Sequence, residues 1–379
     1  MPVHVAILEP YYGGSHRVFA DTFAAHSRHQ VSVATMPARK WKWRMRGAAM
    51  WFARQETAWM YGREGGPVDL ILCNDMLSVS DLRAMLPAEL RNVPVVCYFH
   101  ENQLTYPLAP DDTVDYQYGM TNITSCLASD QVLFNSQHHL SAFLIATEWL
   151  LRQMPDCVPD DIIPAIVARS GVAYPPIDVK APDETWNTQK AMGRAPRILW
   201  SHRWEYDKNP GPFFEALSVL AEEGVAFELV CVGEQFRTAP PEFAESTRRL
   251  ESRLVHSGYV PSRDDYLALL RSCDVVVSTA IQENFGIAVL EAVASGCQPV
   301  LPDRLAYPEV IPLAYHPQCL YAKDETLLEH LRAVLTGPRM LSVQARLDLA
   351  AVVTRRFGTV AAISRLDEAL AAASGQATA

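Results

Sequence analysis

Two glutamates flank a glycine in the segment QENFGIAVLEAVASGCQ, which follows the apolar run VVVSTA. Glu283 and Glu291 are eight residues apart, so within a helix they would lie at most about 12 Å apart along the axis. That distance suits a nucleotide sugar, from its hexose to its ribose. Backbone amides of Asn284, Phe285 and Gly286 at a helix N-terminus would favour a diphosphate. The alternative is that both glutamates are ordinary helix acids.

A second polar segment, SHRWEYDKNPGPFFEAL, directly follows the apolar run RILW. Its cations Arg203 and Lys208 precede a helical pattern. Two cations aimed at a phosphate would offset the charge that develops as a glycosyl bond breaks, so no metal ion is expected. The alternative is a surface loop whose charges form exposed ion pairs.

A glycine pair follows the first apolar run, in LEPYYGGSHRVFAD. Gly13 and Gly14 predict a tight turn, with Ser15 and His16 at the start of a helix. Such a loop could lie against a donor phosphate and sugar, and we assign Gly13, Gly14 and Ser15 to the donor and His16 to the acceptor. A glycine pair after a strand is also common in ordinary turns.

Four polar residues, His100, Glu101, Asn102 and Gln103, follow the apolar run VVCYF. Their side chains suit hydrogen bonding to the hydroxyls of a sugar or acceptor, and His100 could also relay a proton. The alternative is a structural histidine. Two further strand ends, at Gly233 and at Tyr259 and Val260, could present backbone groups to a nucleobase, although strand-end glycines often only form turns.

These segments must be positioned by the elements that precede them. Short apolar runs alternate with helical patterns along the chain, which predicts an α/β fold with two Rossmann-like parallel sheets wound with helices. Ligands of such sheets lie outside the carboxyl ends of the strands, so we expect two sheets facing a central cleft. The predicted parts are an N-terminal acceptor domain (1–178), a linker (179–194), a C-terminal donor-nucleotide domain (195–358) and a helix at about 359–374 that packs back on the first domain.

Length and composition agree with a packed enzyme of two domains. The chain has 379 residues, of which 49% are hydrophobic and 20% charged, and this balance excludes a long disordered protein. Its eight cysteines are scattered, without a C-x-x-C pair, and are expected as buried thiols of a reducing compartment. We find neither a signal peptide nor an apolar stretch of membrane-spanning length, and therefore expect a cytoplasmic protein without a bound cofactor.

The pairs Arg203 with Lys208 and Glu283 with Glu291, on two Rossmann-like sheets, resemble the retaining glycosyltransferases of family 4, which have the GT-B fold. The resemblance implies that Glu291 binds the nucleotide ribose, that Glu283 lies near the hexose hydroxyls and that His100 lies beside the transferred sugar. Within this family, EPYYGGSH, FHENQLTYP and SHRWEYDKNP are similar to the tRNA-queuosine α-mannosyltransferase branch, which uses GDP-mannose. The implied reaction retains configuration through attack on the face from which the nucleotide leaves.

A basic segment, RKWKWRMR, stands out in a chain whose net charge is −10. With tRNA as the acceptor, its cations would contact phosphates, and its two tryptophans could stack on unpaired anticodon bases. The alternatives are a helix that binds anionic membrane and a plain surface helix. The predicted RNA contacts are Arg39, Lys40, Trp41, Lys42, Trp43, Arg44 and Arg46.

Two other functions are compatible with these patterns. One is a family-4 glycosyltransferase that acts on a lipid or small-molecule acceptor. The other is a non-catalytic protein of the same fold that binds a sugar nucleotide as a sensor. Hydrolysis of a sugar nucleotide would exclude the sensor.

Overall fold

The computed structural model describes residues 2–55, 59–60, 68–107, 115–182, 193–234, 248–323 and 326–375. The chain divides into two compact units. Unit 1 comprises Met1–Pro176 and Thr359–Ala379, and unit 2 comprises Ile177–Gly358. Of the predicted linker, residues 183–192 lie outside the described residues.

Within the described residues, unit 1 contains a six-stranded parallel sheet in the order β2-β1-β3-β4-β5-β6. Its central strands read LILCN and VVCYF and are buried throughout, as expected for strands covered on both faces. The strands are β1 (His4–Tyr12), β2 (Gln30–Pro37), β3 (Leu70–Asn74), β4 (Val95–Phe99), β5 (Gln131–Phe134) and β6 (Ser170–Val172). The helices are α1 (Gly14–His26), α2 (Trp41–Ala53), α3 (Val79–Met85), α4 (Tyr116–Ala128), α5 (Gln137–Leu151) and α6 (Ile162–Val167).

Unit 2 contains a second parallel sheet, whose described strands follow the order β12-β11-β10-β7-β8-β9. The strands are β7 (Arg197–Ser201), β8 (Glu228–Val232), β9 (Leu254–Gly258), β10 (Val275–Val277), β11 (Gln298–Pro302) and β12 (Leu320–Tyr321). The helices are α7 (Pro210–Glu222), α8 (Arg263–Ser272), α9 (Ile287–Ala294), α10 (Tyr307–Val310), α11 (His316–Cys319), α12 (Leu327–Leu335) and α13 (Val343–Phe357).

A final helix, α14 (Thr359–Ala373), belongs to unit 1. Its Ile363, Leu366 and Leu370 lie in the same apolar core as Phe19 and Phe23 of α1. The carboxylate of its Asp367 accepts hydrogen bonds from the Ser27 hydroxyl at 2.5 Å and the Arg28 backbone N–H at 3.0 Å. Apolar burial and a buried carboxylate cap therefore hold this helix on unit 1.

The predicted α/β fold with two parallel sheets is confirmed. The apolar runs VVCYF, RILW and VVVSTA overlap the strands β4, β7 and β10, whereas the edge strand β12 has no counterpart among the apolar runs named above. A two-residue strand is too short to produce a recognisable pattern. Strand β1 continues beyond its apolar residues, through Glu9 and Pro10, and ends at Tyr12.

No helix within the described ranges combines the length and the apolar character that crossing a membrane requires.

Candidate active site

In unit 2 the loop after β7 meets the loop after β10 at Lys208. The ammonium Nζ of Lys208 lies 2.9 Å from Asp207 Oδ2 and 3.3 Å from Glu283 Oε2. It also donates to the backbone oxygen of Gln282 at 2.9 Å. The structure thus brings together the two polar segments that the sequence analysis singled out, although 75 residues separate Lys208 from Glu283.

Both members of this pair are charged at neutral pH. Burial alone would lower the pKa of Lys208, but the neighbouring carboxylates of Glu283 and Asp207 raise it above its ordinary value. Burial would raise the pKa of Glu283, but Lys208 and then His202 lower it. An ammonium has three N–H donors, and here all three face protein oxygens. A phosphate that binds Lys208 must therefore replace one of these oxygens.

Arg203 forms an ion pair with Glu205, with 3.1 Å between Nη2 and Oε2. This pair, like that of Lys208 with Asp207, belongs to the ion-paired loop that was the alternative interpretation of the segment. The contact between Lys208 and Glu283 goes beyond that alternative, because it joins two separate strand ends.

The expected diphosphate cradle needs a correction at Gly286. Its backbone N–H donates to Glu283 Oε1 at 3.0 Å, so this amide is not available to a ligand. Gly286 has a φ of 88° and is the N-cap of α9. The Leu290 backbone N–H donates the first hydrogen bond of this helix, to Gly286 O. The unpaired donors of this helix are therefore those of its first turn, which begins at Ile287, later than predicted.

The other two residues of the expected cradle have roles within the protein. The ring of Phe285 is 2% exposed and packs edge-on against Phe357, with centroids 5.3 Å apart. The side-chain oxygen of Asn284 accepts a hydrogen bond from Gln282 at 3.1 Å. Donor binding by Asn284 and Phe285 stays a prediction.

Glu291 is held by an arginine that the sequence analysis missed. Its Oε1 lies 2.6 Å from Nη2 of Arg263, the first residue of α8, and Glu291 is only 6% exposed. Arg263 also donates to the backbone oxygen of Asp178 at 3.0 Å. The nearby Tyr266 hydroxyl lies 3.2 Å from Ser201 Oγ, and its burial beside Glu291 raises its pKa. Glu291 is thus a buried, oriented carboxylate and not a solvated helix acid.

His202, also missed, directly follows β7 and precedes Arg203. Burial, and then the charge of Lys208, lower its pKa to about 4, so its ring is neutral at pH 7. Its Nε2 is buried and has no hydrogen-bond partner among the described residues. This nitrogen can exchange a hydrogen bond with a bound ligand, provided that the ligand reaches it.

The strand ends that carry Gly233 and Tyr259 are neighbours, because β8 pairs with β9. The Gly233 N–H donates to Gly258 O at 3.3 Å, and donor binding by Gly233 stays a prediction. A Cβ at Gly233 would lie 1.8 Å from the carbonyl oxygen of His202, so close packing of two strand ends requires the glycine. Tyr259 and Val260 follow the edge strand β9, and Tyr259 is 64% exposed. Base recognition by these two residues stays a prediction.

In unit 1 a buried polar cluster occupies the carboxyl ends of β1, β3 and β4. The Asn74 amide Nδ2 lies 2.6 and 2.7 Å from the two carboxylate oxygens of Glu9. It is also 3.0 Å from Nδ1 of His16, which is 3.5 Å from Glu9 Oε1. His16, predicted as an acceptor contact, is therefore held by the carboxylate of Glu9.

The rings of His16 and His100 lie against each other, with centroids 4.2 Å apart. Burial would lower the pKa of His16, but Glu9, followed by Asp75 and Glu101, raises it to about 9. Burial, and then the charge on His16, lower the pKa of His100 well below its ordinary value. At neutral pH the pair therefore consists of a protonated His16 and a neutral His100.

Asp75 completes the cluster and was also missed. Its Oδ1 accepts the backbone N–H of His100 at 2.8 Å, whereas its buried Oδ2 has no partner among the described residues. Burial and the charge of Glu101 raise its pKa to about 7, although His16 opposes the shift. Asn74 ends β3 and Asp75 directly follows it, so the strand-end argument applied to the other motifs also applies to them.

The cluster also contains atoms of the types that bind metal ions. Glu9, His16 and His100 each offer one ligand atom, and these atoms lie within 4.8 Å of one another. A carboxylate and two imidazoles are donors that zinc accepts. Independence from metal ions stays a prediction and is tested below.

The polar run after β4 divides into contact and support residues. The Nδ2 of Asn102 faces Thr105 Oγ1 at 2.8 Å and His139 Nε2 at 2.9 Å, and the residue is 1% exposed, so it supports the loop, and its acceptor contact stays a prediction. Gln103 donates to Glu101 at 3.3 Å, and both side chains are partly exposed. Glu101 and Gln103 therefore stay predicted acceptor contacts.

The glycine turn after β1 has two separate causes. A Cβ on Gly13 would lie 2.5 Å from the Cβ of Ala38, whereas Gly14 adopts a φ of 52°. Ser15, in the first turn of α1, is exposed. Donor binding by Gly13, Gly14 and Ser15 stays a prediction.

The basic segment forms the start of α2, and Lys40 precedes the helix in a left-handed conformation. The side chain of Arg44 is buried and its Nη2 donates to Pro37 O at 3.0 Å, so Arg44 has a role within the protein, and its RNA contact stays a prediction. The ring of Trp43 is 55% exposed and covers Gly47, where a Cβ would lie 2.6 Å from the indole. Of the other predicted RNA contacts, Trp41 is half-buried and Arg39, Lys40, Lys42 and Arg46 are exposed.

Known proteins resemble this chain along nearly its whole length. Residues 4–177 match the family model "tRNA-queuosine alpha-mannosyltransferase N-terminal", and residues 183–348 match "Glycosyl transferases group 1". The tRNA-queuosine alpha-mannosyltransferase of Drosophila melanogaster is 34% identical over 352 residues, covering 90% of this chain and 89% of the fly protein. A GDP-mannose-dependent phosphatidylinositol dimannoside mannosyltransferase of Mycobacterium tuberculosis is 28% identical over 38% of this chain and 36% of its own length.

Solved structures show the same fold at low sequence identity. Sucrose-phosphate synthase from Thermosynechococcus elongatus superimposes with a TM-score of 0.69 at 15% identity, covering 96% of this chain and 97% of the synthase. Anabaena HepE in complex with UDP and glucose gives a TM-score of 0.67 at 14% identity, covering 98% and 100%. These likenesses confirm the predicted GT-B architecture. With the fly enzyme similar over nine tenths of the chain, the chain belongs to the tRNA-queuosine α-mannosyltransferase family.

Proposed function

We propose that this protein transfers a mannosyl group from GDP-mannose to the queuosine nucleoside of tRNA, with retention of configuration and without a metal ion. Family membership supports the reaction class and the acceptor. The observation that carries the proposal in the structure is the meeting of Lys208 and Glu283, which puts a buried cation beside the carboxylate expected at the hexose. Eight free thiols, seven of them buried, agree with a cytoplasmic location.

The donor is assigned to unit 2. Glu291, oriented by Arg263, accepts the ribose hydroxyls through the carboxylate oxygen that Arg263 does not occupy. Lys208 and Arg203 face the diphosphate, together with the first-turn amides of α9. One phosphate oxygen replaces a protein oxygen on Lys208, so the ammonium keeps its three partners and gains a charge-assisted bond to the leaving group.

The transfer step breaks the bond between the anomeric carbon and the β-phosphate oxygen. The electron pair of that bond passes to the phosphate, and the acceptor hydroxyl oxygen forms the new bond on the same face. The hydroxyl proton goes to the departing phosphate, so GDP and mannosylated queuosine are the products. Preorganised cations stabilise the charge on the phosphate as it develops, and no carboxylate of the chain has to form a covalent intermediate.

The acceptor is assigned to unit 1. The neutral ring of His100 and the partly exposed side chains of Glu101 and Gln103 offer hydrogen-bond donors and acceptors suited to the diol of queuosine. The exposed cations at the start of α2 contact the phosphates of the anticodon region. The protonated ring of His16, held by Glu9, packs against the ring of His100 and fixes its position.

The test incubates the purified protein with queuosine-containing tRNA and, in parallel, GDP-mannose, UDP-glucose and UDP-galactose. Nucleosides are then released and analysed by mass spectrometry. The proposal expects a gain of one hexose on queuosine with GDP-mannose alone, and no gain on tRNA that lacks queuosine. Transfer from a UDP-sugar would refute the donor assignment. No mass gain with any donor would refute the reaction.

A further inference from the structure

Aromatic side chains from three helices of unit 1 form two ring pairs, which we call the aromatic pairs: Trp41 of α2 with Tyr118 of α4, and Tyr116 of α4 with Trp149 of α5. The rings of Trp41 and Tyr118 have centroids 5.1 Å apart, and those of Tyr116 and Trp149 are 6.2 Å apart at an interplanar angle of 35°. Tyr116 is 43% exposed and Trp149 is 53% exposed. Large rings held at this exposure by short contacts, and not buried, are available to a partner.

Cations are interleaved with these rings. The guanidinium of Arg46 lies 5.6 Å from the centroid of Tyr118, and the ammonium of Lys42 lies 5.6 Å from the centroid of Trp41. Arg46 also donates to Gln117 Oε1 at 2.9 Å, which ties α2 to the start of α4. The basic start of α2 and the rings of α4 and α5 therefore form one surface.

A groove of about 420 Å³ is lined by Tyr116 of the aromatic pairs and by Arg46. Met120, Leu150 and Met154 provide apolar surface inside the groove. Its polar lining consists of Arg46, Ser78, Ser80, Asp81, Gln117, Thr121 and Thr124. The volume falls in the range of pockets that hold small molecules or single nucleosides.

The composition of this surface favours RNA over membrane. Hydroxyls, an amide and the carboxylate of Asp81 line the groove, and such groups disfavour insertion into an anionic bilayer. Flat rings beside cations are the features that hold unpaired bases and their phosphates. Arg46 and Asp81 both line the groove.

We propose that the groove and the rings of Tyr116 and Trp149 bind an unpaired anticodon-loop base that neighbours the modified nucleotide. The ring pair stacks on the base, Gln117 and the threonines bond its edge, and Arg46 contacts its phosphate. This inference rests on the proposed function, which supplies the RNA. It extends the RNA contact from α2 to residues of α4 and α5 that have no place in the reaction itself.

The first test measures binding of a fluorescently labelled anticodon stem–loop, without donor, so that the result does not depend on turnover. Stacking on one ring contributes about 1–3 kcal/mol, so Trp149→Leu is expected to raise the Kd by about 5- to 100-fold. Trp149→Phe keeps a stacking ring and is expected to stay within about threefold of the wild type. Equal Kd values for Trp149→Leu and the wild type would overturn the proposal.

A second variant tests the groove without removing the Trp149 ring, whose loss could also disturb the local structure. Gln117→Glu adds a negative charge beside Arg46 on an exposed side chain, and is expected to weaken RNA binding at low salt with an unchanged melting temperature. Gln137→Glu is its matched control, because it adds the same charge at the opposite end of α5, about 18 Å along the axis from Trp149. If both glutamate variants weaken binding equally, only general charge is involved and the proposed groove is wrong.

Two further measurements separate this inference from the proposed function. GDP-mannose binding should be unchanged in Trp149→Leu, while the KM for queuosine-tRNA rises and kcat is kept. If the wild type binds the stem–loop through Trp149 but modifies no queuosine, the groove stands and the proposed reaction fails. If the wild type binds phosphatidylglycerol vesicles, Trp149→Leu does not, and neither binds RNA, the surface binds membrane and the proposal is overturned.

Discussion

The carboxyl ends of the two sheets carry different kinds of polar chemistry. In unit 2 the key contacts are ion pairs, Lys208 with Glu283 and Arg263 with Glu291. In unit 1 the buried groups titrate nearer to neutrality, with a pKa of about 9 for His16 and about 7 for Asp75. Fixed charges suit a permanently charged diphosphate, whereas groups that can both donate and accept suit the hydroxyls of a neutral diol. The contrast supports a donor in unit 2 and an acceptor in unit 1.

The largest expected effect is that of Lys208→Ala, which removes the cation from the predicted leaving-group site. We expect turnover of GDP-mannose with queuosine-tRNA to fall by about 100-fold or more, as for loss of one electrostatic donor in other enzymes. Steady-state kinetics measure the effect, and a rate near that of the wild type would remove Lys208 from the mechanism.

Lys323→Ala is the matched control for Lys208→Ala, since it removes an exposed lysine from the same unit. Loss of Lys208 leaves the carboxylates of Asp207 and Glu283 without their cation, so thermal unfolding of both variants must be recorded. A fall in turnover counts toward the mechanism only at temperatures where Lys208→Ala remains folded.

Arg263→Gln should have the next largest effect, on donor affinity. Glu291 would lose the group that orients it, and we expect the KM for GDP-mannose to rise by about 10- to 30-fold, in line with a charged hydrogen bond of about 1.5–2 kcal/mol. The kcat at saturating donor should change little, because Arg263 acts on the ribose and not on the breaking bond. Rescue by Arg263→Lys would show that charge alone suffices, whereas a lost kcat with an unchanged KM would contradict this positioning role.

In unit 1, Asp75→Asn should change stability in a pH-dependent way. The folded pKa of Asp75, about 7, is above its unfolded value, so the folded state binds the extra proton between about pH 4 and pH 7 and loses stability as the pH rises through this window. The asparagine variant lacks this loss. We expect its free energy of unfolding to exceed that of the wild type by about 1–2 kcal/mol at pH 8, after allowance for an unpaired amide.

Urea unfolding at pH 4.5 and pH 8 measures this difference. The advantage of the variant should shrink or reverse at pH 4.5, where folded wild-type Asp75 is protonated. The variant could instead be less stable than the wild type by the same free energy at both pH values. That result would show that Asp75 does not titrate as described.

A smaller effect is expected from single cations of α2. Lys42→Gln should weaken tRNA binding a few-fold and reduce the slope of log K against log salt by about 0.7–0.9, the value of one phosphate contact. Arg46→Gln should act similarly, because Arg46 is also exposed. Gel shifts at two salt concentrations measure the slope, and a wild-type affinity that does not respond to salt would rule out the RNA contact of α2.

The smallest effect is expected from removing metal ions. Excess EDTA, followed by desalting, should leave the rate of mannosyl transfer unchanged within about twofold, because the charge of the leaving phosphate is offset by cations of the chain. Loss of activity that zinc restores would instead assign a metal to Glu9, His16 and His100, whose ligand atoms lie close enough to share one.

Whether a site residue could be predicted from the sequence depends on whether a strand end or only tertiary packing brings it to the site. Lys208 and Glu283 were predicted because each follows an apolar strand, and strand ends of a parallel sheet share one edge. The partner of Glu291 was not predicted, because Arg263 lies 28 residues away on another helix and only packing brings it close. Asp75 was predictable by the same strand-end argument and was overlooked.

The different burial of Arg44 and Arg46 in the basic segment follows from their positions around α2. Arg44 and Arg46 are two residues apart, so they point to different sides of α2, and the sequence did not indicate which side is buried. The structure buries Arg44 against the Pro37 carbonyl and exposes Arg46. For Asn102 and Gly233, local hydrogen bonds and close backbone packing account for residue types that resemble ligand contacts.

The division between the units is tested most directly by measuring the Kd of GDP and of queuosine-tRNA for two variants. One is Lys208→Ala, and the other is the triple variant Arg39→Gln, Lys42→Gln, Arg46→Gln. The account predicts that Lys208→Ala weakens GDP binding by about tenfold or more and leaves tRNA binding unchanged, and that the triple variant does the reverse. Equal losses of both ligands in either variant would contradict a donor site in unit 2 and an RNA surface in unit 1.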